Sequence, residues 1–236
     1  MALSKVLLLA SAAALVSSAA LAGPNVSRTA SGVTGFHGVK APTKGQKYTP
    51  GKGGKCGTGF GAELPTPDGL IGWNDTSGSG FDTGSGTDFT CTKKTAIHEV
   101  DVYGYNAPAN PEQYNVTIYK NDTAGGSDEA KDGKSAKCSY TGILAEGGGS
   151  YPTHVLSHIM LPTKCVLKPG KYWVEVQDND ANGPWYHEMT SNLSGTQADW
   201  VDRNNLFGSG CTTLDNNAYL SNCLGYTYPD YMLELH

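Results

Sequence analysis

Turn-forming residues interrupt this chain so often that there is little room for long helices. The 236 residues include 31 Gly and 12 Pro, and nearly every short stretch contains Gly, Ser, Thr, Asn or Pro. Hydrophobic residues make up 38% of the chain, so a core can form, but only 17% of the residues are charged. This composition excludes coiled coils, helical bundles and strongly basic nucleic-acid binders. We therefore expect no nucleic-acid partner.

The short segments between the turns alternate polar and apolar residues, as half-buried strands do. The alternation is clear from Glu99 to Tyr103 and recurs from Tyr114 to Tyr119. Further strand-like segments are His154 to Leu161, Tyr172 to Gln177 and Met232 to Leu235, with shorter ones around Trp73, Phe89 and Tyr186. Roughly eight short strands without a helical period predict an all-β domain over residues 63–236, an antiparallel β-sandwich or jelly roll.

The N-terminal residues have the pattern of a secretory signal peptide. Lys5 supplies a positive charge, residues 6–16 are apolar apart from Ser11, and Ala20-Leu21-Ala22 fits the A-x-A cleavage motif. The apolar segment is much shorter than the ~20 residues that a membrane-spanning helix needs. We expect residues 1–22 to be removed on export, leaving a secreted, extracellular protein with no membrane span.

All six cysteines follow this cleavage site, and an even number in an exported chain predicts disulfides. No Cys-x-x-Cys motif occurs, which disfavours zinc or redox chemistry at these residues. Many connectivities are open to six cysteines. The simplest is sequential pairing, with ~2–4 kcal/mol of stabilisation from each bond: Cys56–Cys91, Cys138–Cys165 and Cys211–Cys223.

Charge is distributed unevenly between the two parts of the mature chain. Residues 23–62, rich in Gly, Lys and Pro, contain six Lys or Arg and no acidic residue. From Glu63 onward, ten basic residues stand against all 22 acidic ones, a net charge of −12. Residues 23–62 have too few large apolar side chains to form a core of their own. They are either a solvated linker or a basic arm that docks on an acidic surface, its own or a neighbour's.

Several motifs in the second half of the chain resemble one protein family. Residues 167–174 read Leu-x-Pro-Gly-x-Tyr-Trp-Val, Ala198-Asp199-Trp200 follows, and Phe207 to Thr213 reads Phe-Gly-x-Gly-Cys-Thr-Thr, with Cys223-Leu224-Gly225 beyond it. With the earlier strands, this order resembles a β-sandwich domain of secreted bacterial proteins over roughly residues 64–236. The resemblance implies a secreted sandwich in which Cys211 pairs with Cys223. It brings no established activity and no catalytic residues.

One loop has part of a calcium-binding pattern. Asp178, Asp180 and Asn182 place oxygen ligands at the first, third and fifth positions, and Gly183 follows at the turn. The pattern then fails, because the twelfth position is Met189 and no helical pattern flanks the loop. The alternative is an ordinary turn between two strands. Calcium is the only cofactor that the sequence suggests.

The other candidate chemistry is weak. His154 and His158 have zinc-ligand spacing on a helix, but on a strand they stand about 13 Å apart, too far for one metal, and we expect them to face solvent. The nearest match to a nucleophile motif, residues 76–80, is a Gly/Ser loop without the strand and helix that the motif needs. We therefore expect no enzyme activity.

Aromatic residues near loops suggest a binding surface. Trp73, Trp185 and Tyr186 lie in or beside predicted loops. Such rings can stack on sugar faces while neighbouring Asp and Asn bond the hydroxyls, or they can close the ends of the core.

Two functions follow from these features. The first is a secreted, non-catalytic module that binds an extracellular glycan or cell surface. The alternative is a structural subunit that binds copies of itself through the N-terminal arm or an edge strand.

Overall fold

The computed structural model describes most of the predicted β domain and little of the segment before it. The described residues are 28–29, 32–33, 56, 69–106, 113–122, 129–130, 136–147, 155–179, 181, 185–190, 196–214, 219–225 and 230–236. The predicted signal peptide, residues 1–22, lies outside these ranges, as do His154 and two of the three predicted calcium ligands, Asp180 and Asn182.

The described secondary structure is almost entirely strand. In chain order the elements are β1 (Arg28–Thr29), β2 (Gly32–Val33), β3 (Gly69–Ile71), β4 (Thr83–Cys91), β5 (Thr95–Asn106), β6 (Gln113–Asp122), β7 (Glu129–Ala130), β8 (Ala136–Leu144), β9 (Glu146–Gly147), β10 (Val155–Leu167), β11 (Gly170–Asp178), β12 (Trp185–Thr190), β13 (Asp199–Asp202), α1 (Leu220–Cys223), β14 (Asp230–Tyr231) and β15 (Leu233–Leu235). In the part of the chain that the structure describes, no helix is long and apolar enough to cross a membrane.

The strands form two antiparallel sheets, which confirms the predicted all-β sandwich. The first sheet has the order β14–β12–β5–β10–β9, with β3 paired to β12 and β15 paired to β5. The second has the order β13–β4–β11–β6–β7, with β8 paired to β6. Within the predicted basic arm, β1 and β2 form a separate antiparallel pair.

The main core lies between the inner faces of the two sheets. Val100 and Val102 of β5 have no solvent exposure, as the alternation from Glu99 to Tyr103 predicts. Fully burying a side chain of this size is worth ~1.5–3 kcal/mol. The same core contains many large side chains of both sheets, among them Phe89, Ile97, Tyr114, Val116, Ile118, Ile159, Leu161, Leu167, Val174, Val176, Trp185, Leu233 and Leu235.

The outer face of the second sheet is covered as well, so β11 is buried on both sides. Trp173 is 1% exposed and packs with Val201 and Leu214, which come from the segment after β12. Beside it, Glu175 is ion-paired with Arg203, whose Nη2 lies 2.8 Å from Oε1. A buried carboxylate needs such a partner, and the C-terminal segment supplies it.

Three disulfides join Cys56 to Cys91, Cys138 to Cys165 and Cys211 to Cys223, which confirms the sequential pairing. Disulfides of this number are typical of an oxidising environment. Cys56 has no solvent exposure and lies in the main core. The last part of the predicted arm is therefore anchored to β4.

Candidate functional site

Three aromatic side chains and a leucine are grouped at one end of the sandwich. Trp73 follows β3 of the first sheet and forms a bridge with Asp178 at the end of β11, in the second sheet. Trp73, Phe81 and Phe207 are half-buried, and Leu206 is 38% exposed. We call Trp73, Phe81, Leu206 and Phe207 the aromatic surface.

The rings of this surface contact one another in series. Trp73 and Phe81 are stacked, with centroids 5.1 Å apart and planes at 20°. Phe81 and Phe207 are 5.4 Å apart at 45°. Phe207 also lies 6.0 Å from Trp200, which is fully buried. The surface is therefore continuous with the interior, and its rings have little freedom to reorient.

A hairpin stabilised by one carboxylate presents the first two rings. Thr83 N donates to Trp73 O at 2.8 Å, and Asp75 N donates to Phe81 O at 2.9 Å. The Asp75 carboxylate accepts from the backbone N–H groups of Ser77 and Ser79, both at 2.8 Å, and from both hydroxyls. Burial alone would raise the pKa of Asp75, but these hydrogen bonds outweigh it and hold the pKa below its ordinary value. The Gly/Ser loop is thus a fixed turn.

A second buried carboxylate presents Leu206 and Phe207. Asp202 has no solvent exposure and accepts from Leu206 N at 3.0 Å and Phe207 N at 2.8 Å. Burial raises the pKa of Asp202 above its ordinary value, against the opposing effect of these hydrogen bonds. Asn205 takes a positive φ of 52° inside the turn, a conformation that Asn tolerates better than most residues.

Polar groups lie beside the aromatic surface. Arg203 Nη1 is 3.3 Å from Asp82 Oδ1, and both side chains keep part of their surface in solvent, 23% and 30% respectively. Asn204, which is exposed, donates from Nδ2 to Gly80 O at 2.7 Å. An apolar face of rings with amide, guanidinium and carboxylate groups at its edge can stack on a flat ligand and bond its hydroxyls.

Only Trp73 of the three aromatic residues predicted to bind a ligand belongs to this surface. Trp185 is 1% exposed and Tyr186 is 4% exposed, because β12 is buried on both faces. Trp185 packs edge-on against Tyr114, with centroids 5.4 Å apart, and burial raises the pKa of the Tyr186 hydroxyl. Neither ring presents a face to solvent, so neither can stack on a sugar.

The predicted calcium loop is only partly within the described residues. Asp178 is the last residue of β11 and is 1% exposed. Its backbone N–H donates to Gly72 O at 2.8 Å, and its carbonyl accepts from Asn74 N at 2.7 Å. These bonds place Asp178 in the sheet, and calcium ligation by this loop stays a prediction.

A different group of side chains has metal-ligand chemistry. On the outer face of the first sheet, His158 Nδ1 lies 2.9 Å from Asp101 Oδ1 and 3.1 Å from Glu99 Oε1. His236 Nε2 lies 3.2 Å from Asp101 Oδ2 and 4.0 Å from Glu234 Oε2. We call Glu99, Asp101, His158, Glu234 and His236 the His–carboxylate cluster. Among the described residues, Glu99, Asp101 and His158 place ligand atoms within 4.8 Å of one another.

The environment of this cluster shifts the pKa of two of its groups, Asp101 and His158. Burial raises the pKa of Asp101, and the Glu99 charge adds to the effect while His158 opposes it. Burial alone would lower the pKa of His158, but Asp101 and Glu99 outweigh it and the pKa is raised. The carboxylates therefore attract positive charge to the His158 ring.

A serine and a histidine also meet in the interior. Ser85 Oγ lies 2.7 Å from His187 Nδ1, while His187 Nε2 lies 3.0 Å from the carbonyl oxygen of Met232. Burial lowers the pKa of His187 to about 3, against a small opposing effect of the Met232 carbonyl. The neutral ring donates from Nε2 and accepts from Ser85. Both residues are 1% exposed, so the pair links β4 to β12 and is closed to a substrate.

Sequence reasoning missed most of these residues. Phe81 and Phe207 are single aromatic residues beside polar turns, and nothing local marks them as neighbours of Trp73. Glu99 and Asp101 had a usable signal, because strand alternation places both on one face. Their approach to His158, however, depends on the register of β5 and β10, which the sequence does not show.

Comparison with protein-family models, with curated proteins and with solved structures found no match for this chain. The resemblance to a family of secreted bacterial β-sandwich domains therefore stays a prediction.

Proposed function

We propose that this chain is a secreted, non-catalytic β-sandwich module that binds an extracellular polysaccharide through the aromatic surface. The observation that supports this most is the stacked, half-exposed pair of Trp73 and Phe81 beside Phe207. Three disulfides are consistent with the predicted export.

Two properties of the surface favour a sugar ligand. Its turns are each fixed by a buried carboxylate, Asp75 or Asp202, so little conformational entropy is lost when a ligand binds. Its edge also carries Arg203, Asp82 and Asn204, whose hydrogen-bonding groups suit hydroxyls. A polysaccharide offers both the flat, weakly polar ring faces and the hydroxyls that such a surface binds.

Binding to a polysaccharide panel tests the proposal. The panel contains soluble glucans, xylans and pectins, with insoluble cellulose, chitin and peptidoglycan. One ligand class should bind the wild type, and Trp73→Ala or Phe81→Ala should weaken binding about three- to tenfold, the loss expected for one aromatic contact. Retention of full affinity by both variants would contradict the assignment of the site.

Two leucines provide a matched control. Leu206 is part of the aromatic surface at 38% exposure, and Leu144 is on β8 at 61% exposure. Each substitution to Ala shortens an exposed leucine side chain by the same three carbon atoms. Neither should change the free energy of unfolding much. Only Leu206→Ala should weaken polysaccharide binding. An equal loss in Leu144→Ala would indicate that binding is nonspecific.

Self-assembly is a second candidate function, favoured by exposed apolar residues on β8 and β10. Leu144, Met160 and Val166 are 61%, 48% and 46% exposed. Because Ile159, Leu161 and Cys165 of β10 point into the core, Met160 and Val166 point outward. A second copy could bury them. Light scattering over a concentration series tests this: oligomers that disappear in Met160→Glu and persist in Leu206→Glu would support it.

A further inference from the structure

Strand pairing brings Asp101, His158 and Glu234 of the His–carboxylate cluster together. In the first sheet, β5 lies between β10 and β15. His158 and Glu234 are both register partners of Asp101, from opposite sides. Glu99 lies two residues before Asp101, so it extends the same face of β5. Four of its five side chains are therefore carried by three adjacent strands, where side-chain positions are better fixed than on loops, and His236 follows directly after β15.

The spacing of the ligand atoms suits one small metal ion. A tetrahedral zinc site has bonds of about 2.0–2.2 Å to nitrogen and oxygen, which places neighbouring ligand atoms about 3.3 Å apart. His158 Nδ1 is 2.9 Å from Asp101 Oδ1 and 3.1 Å from Glu99 Oε1. An ion that replaces the shared proton of His158 needs these atoms to move apart by only a few tenths of an ångström.

His236 supports the site from the other side of Asp101. Its Nε2 lies 3.2 Å from Oδ2, whereas His158 contacts Oδ1. The two oxygens of one carboxylate thus have separate roles: Oδ1 faces the proposed ion, and Oδ2 contacts the His236 ring, which orients the group. Metal-binding carboxylates commonly have such an outer partner.

Charge and exposure also favour a cation here. Three carboxylates, Glu99, Asp101 and Glu234, meet only two imidazoles, so the cluster has an excess of negative charge. The His158 side chain is 41% exposed and that of Glu99 is 26% exposed, whereas that of Asp101 is 9% exposed. An ion can therefore enter from solvent and complete its coordination with water.

From this geometry we propose that His158, Glu99 and Asp101 bind one divalent transition-metal ion, with His236 as the residue that positions Asp101. An imidazole nitrogen with two carboxylate oxygens is a ligand set for Zn²⁺ or Cu²⁺. Ca²⁺ and Mg²⁺ take oxygen ligands alone and should bind weakly at this site.

Calorimetric titration of the full chain, stripped with chelator, tests this with Zn²⁺ as the probe. The wild type should bind about one equivalent, and its melting temperature should rise with added Zn²⁺. His158→Gln and Asp101→Asn should each weaken binding by more than about tenfold, and His236→Gln by about tenfold.

His98→Gln is the matched control, because His98 is an exposed histidine on the same strand as Glu99 and Asp101. It should bind Zn²⁺ like the wild type. The proposal is overturned if the wild type shows no saturable Zn²⁺ binding, or if His98→Gln loses as much affinity as His158→Gln. His158→Gln alters an exposed side chain and should remain folded. Its unfolding curve without metal, compared with that of the wild type, verifies this.

Discussion

The aromatic surface and the His–carboxylate cluster are assembled in different ways. The first lies on two turns, each closed by a nearby carboxylate: Asp75 bonds residues two and four places ahead, and Asp202 bonds residues four and five places ahead. The second joins side chains from β5, β10 and β15, and His158 is 57 residues from Asp101. Each turn of the first site is therefore locally encoded, although Phe207 reaches Phe81 only in the folded chain, while the second site exists only once the sheet has its register.

This difference predicts that a substitution can weaken ligand binding at one site and leave binding at the other unchanged. The largest effect should come from Cys211→Ser combined with Cys223→Ser, since the bond links the segment after the Asp202 turn to α1. Its loss should lower the free energy of unfolding by ~2–4 kcal/mol, measured by chemical denaturation. Polysaccharide binding should weaken because Phe207 packs in the same small core as this disulfide. Zn²⁺ binding should persist.

The converse variant is Cys138→Ser combined with Cys165→Ser. This bond ties β8 to β10, the strand that carries His158. A comparable loss of stability is expected, but here Zn²⁺ affinity should fall while polysaccharide affinity is kept. If each double variant lowers the affinity for polysaccharide and the affinity for Zn²⁺ equally, the two sites are not independent.

The next largest effect concerns the buried ring of His187. His187 has a folded-state pKa of about 3, against about 6.5 in an unfolded chain. Between these values the unfolded state binds more protons, so stability is lost as the pH falls from about 6.5 towards 3. The slope is about 1.4 kcal/mol per pH unit, or about 2 kcal/mol from pH 6.5 to 5. Ser85, Trp185, Tyr231 and the Met232 carbonyl face the ring.

His187→Gln isolates this contribution from that of the carboxylates. Glutamine keeps an N–H donor for the Met232 carbonyl but does not titrate. The variant is expected to be less stable at pH 7, yet its stability should change less steeply between pH 6.5 and 5. Equal slopes for the two proteins in urea denaturation would show that His187 does not control the acid sensitivity.

A smaller effect is expected at the Asp202 turn. Asp202→Ala removes the acceptor for the N–H groups of Leu206 and Phe207, which should cost about 1–2 kcal/mol because the turn lies near solvent. The orientation of Phe207 depends on that turn. The loss in the free energy of polysaccharide binding should therefore exceed the loss in the free energy of unfolding. Measured Zn²⁺ affinity serves as the internal control and should not change.

The same contrast explains what the sequence could predict. The sandwich followed from local alternation, such as that from Glu99 to Tyr103. The even number of cysteines predicted disulfides, and the structure has the simplest of the pairings that the sequence left open. Trp73 was recognisable because it stands beside a Gly/Ser loop. For Trp185 and Tyr186 the sequence left open a binding face or a place in the core, and the core is correct, because β12 is buried on both faces and its residues do not alternate. The pairing of Asp101 with His158 depends on register, which no local pattern contains.

The smallest effect on stability should come from the basic arm, which is outside both sites. Deletion of residues 24–55 removes all six of its Lys and Arg residues and keeps Cys56, whose disulfide anchors the chain to β4. Exposed ion pairs are each worth only ~0–1 kcal/mol and are screened by salt. The melting temperature and both ligand affinities should therefore stay nearly unchanged, while light scattering should show that the salt-sensitive self-association made by the arm is lost and that any made through Met160 and Val166 remains. If the truncated protein associates as strongly as the intact one, or if both stay monomeric at every salt concentration, residues 24–55 are only a linker.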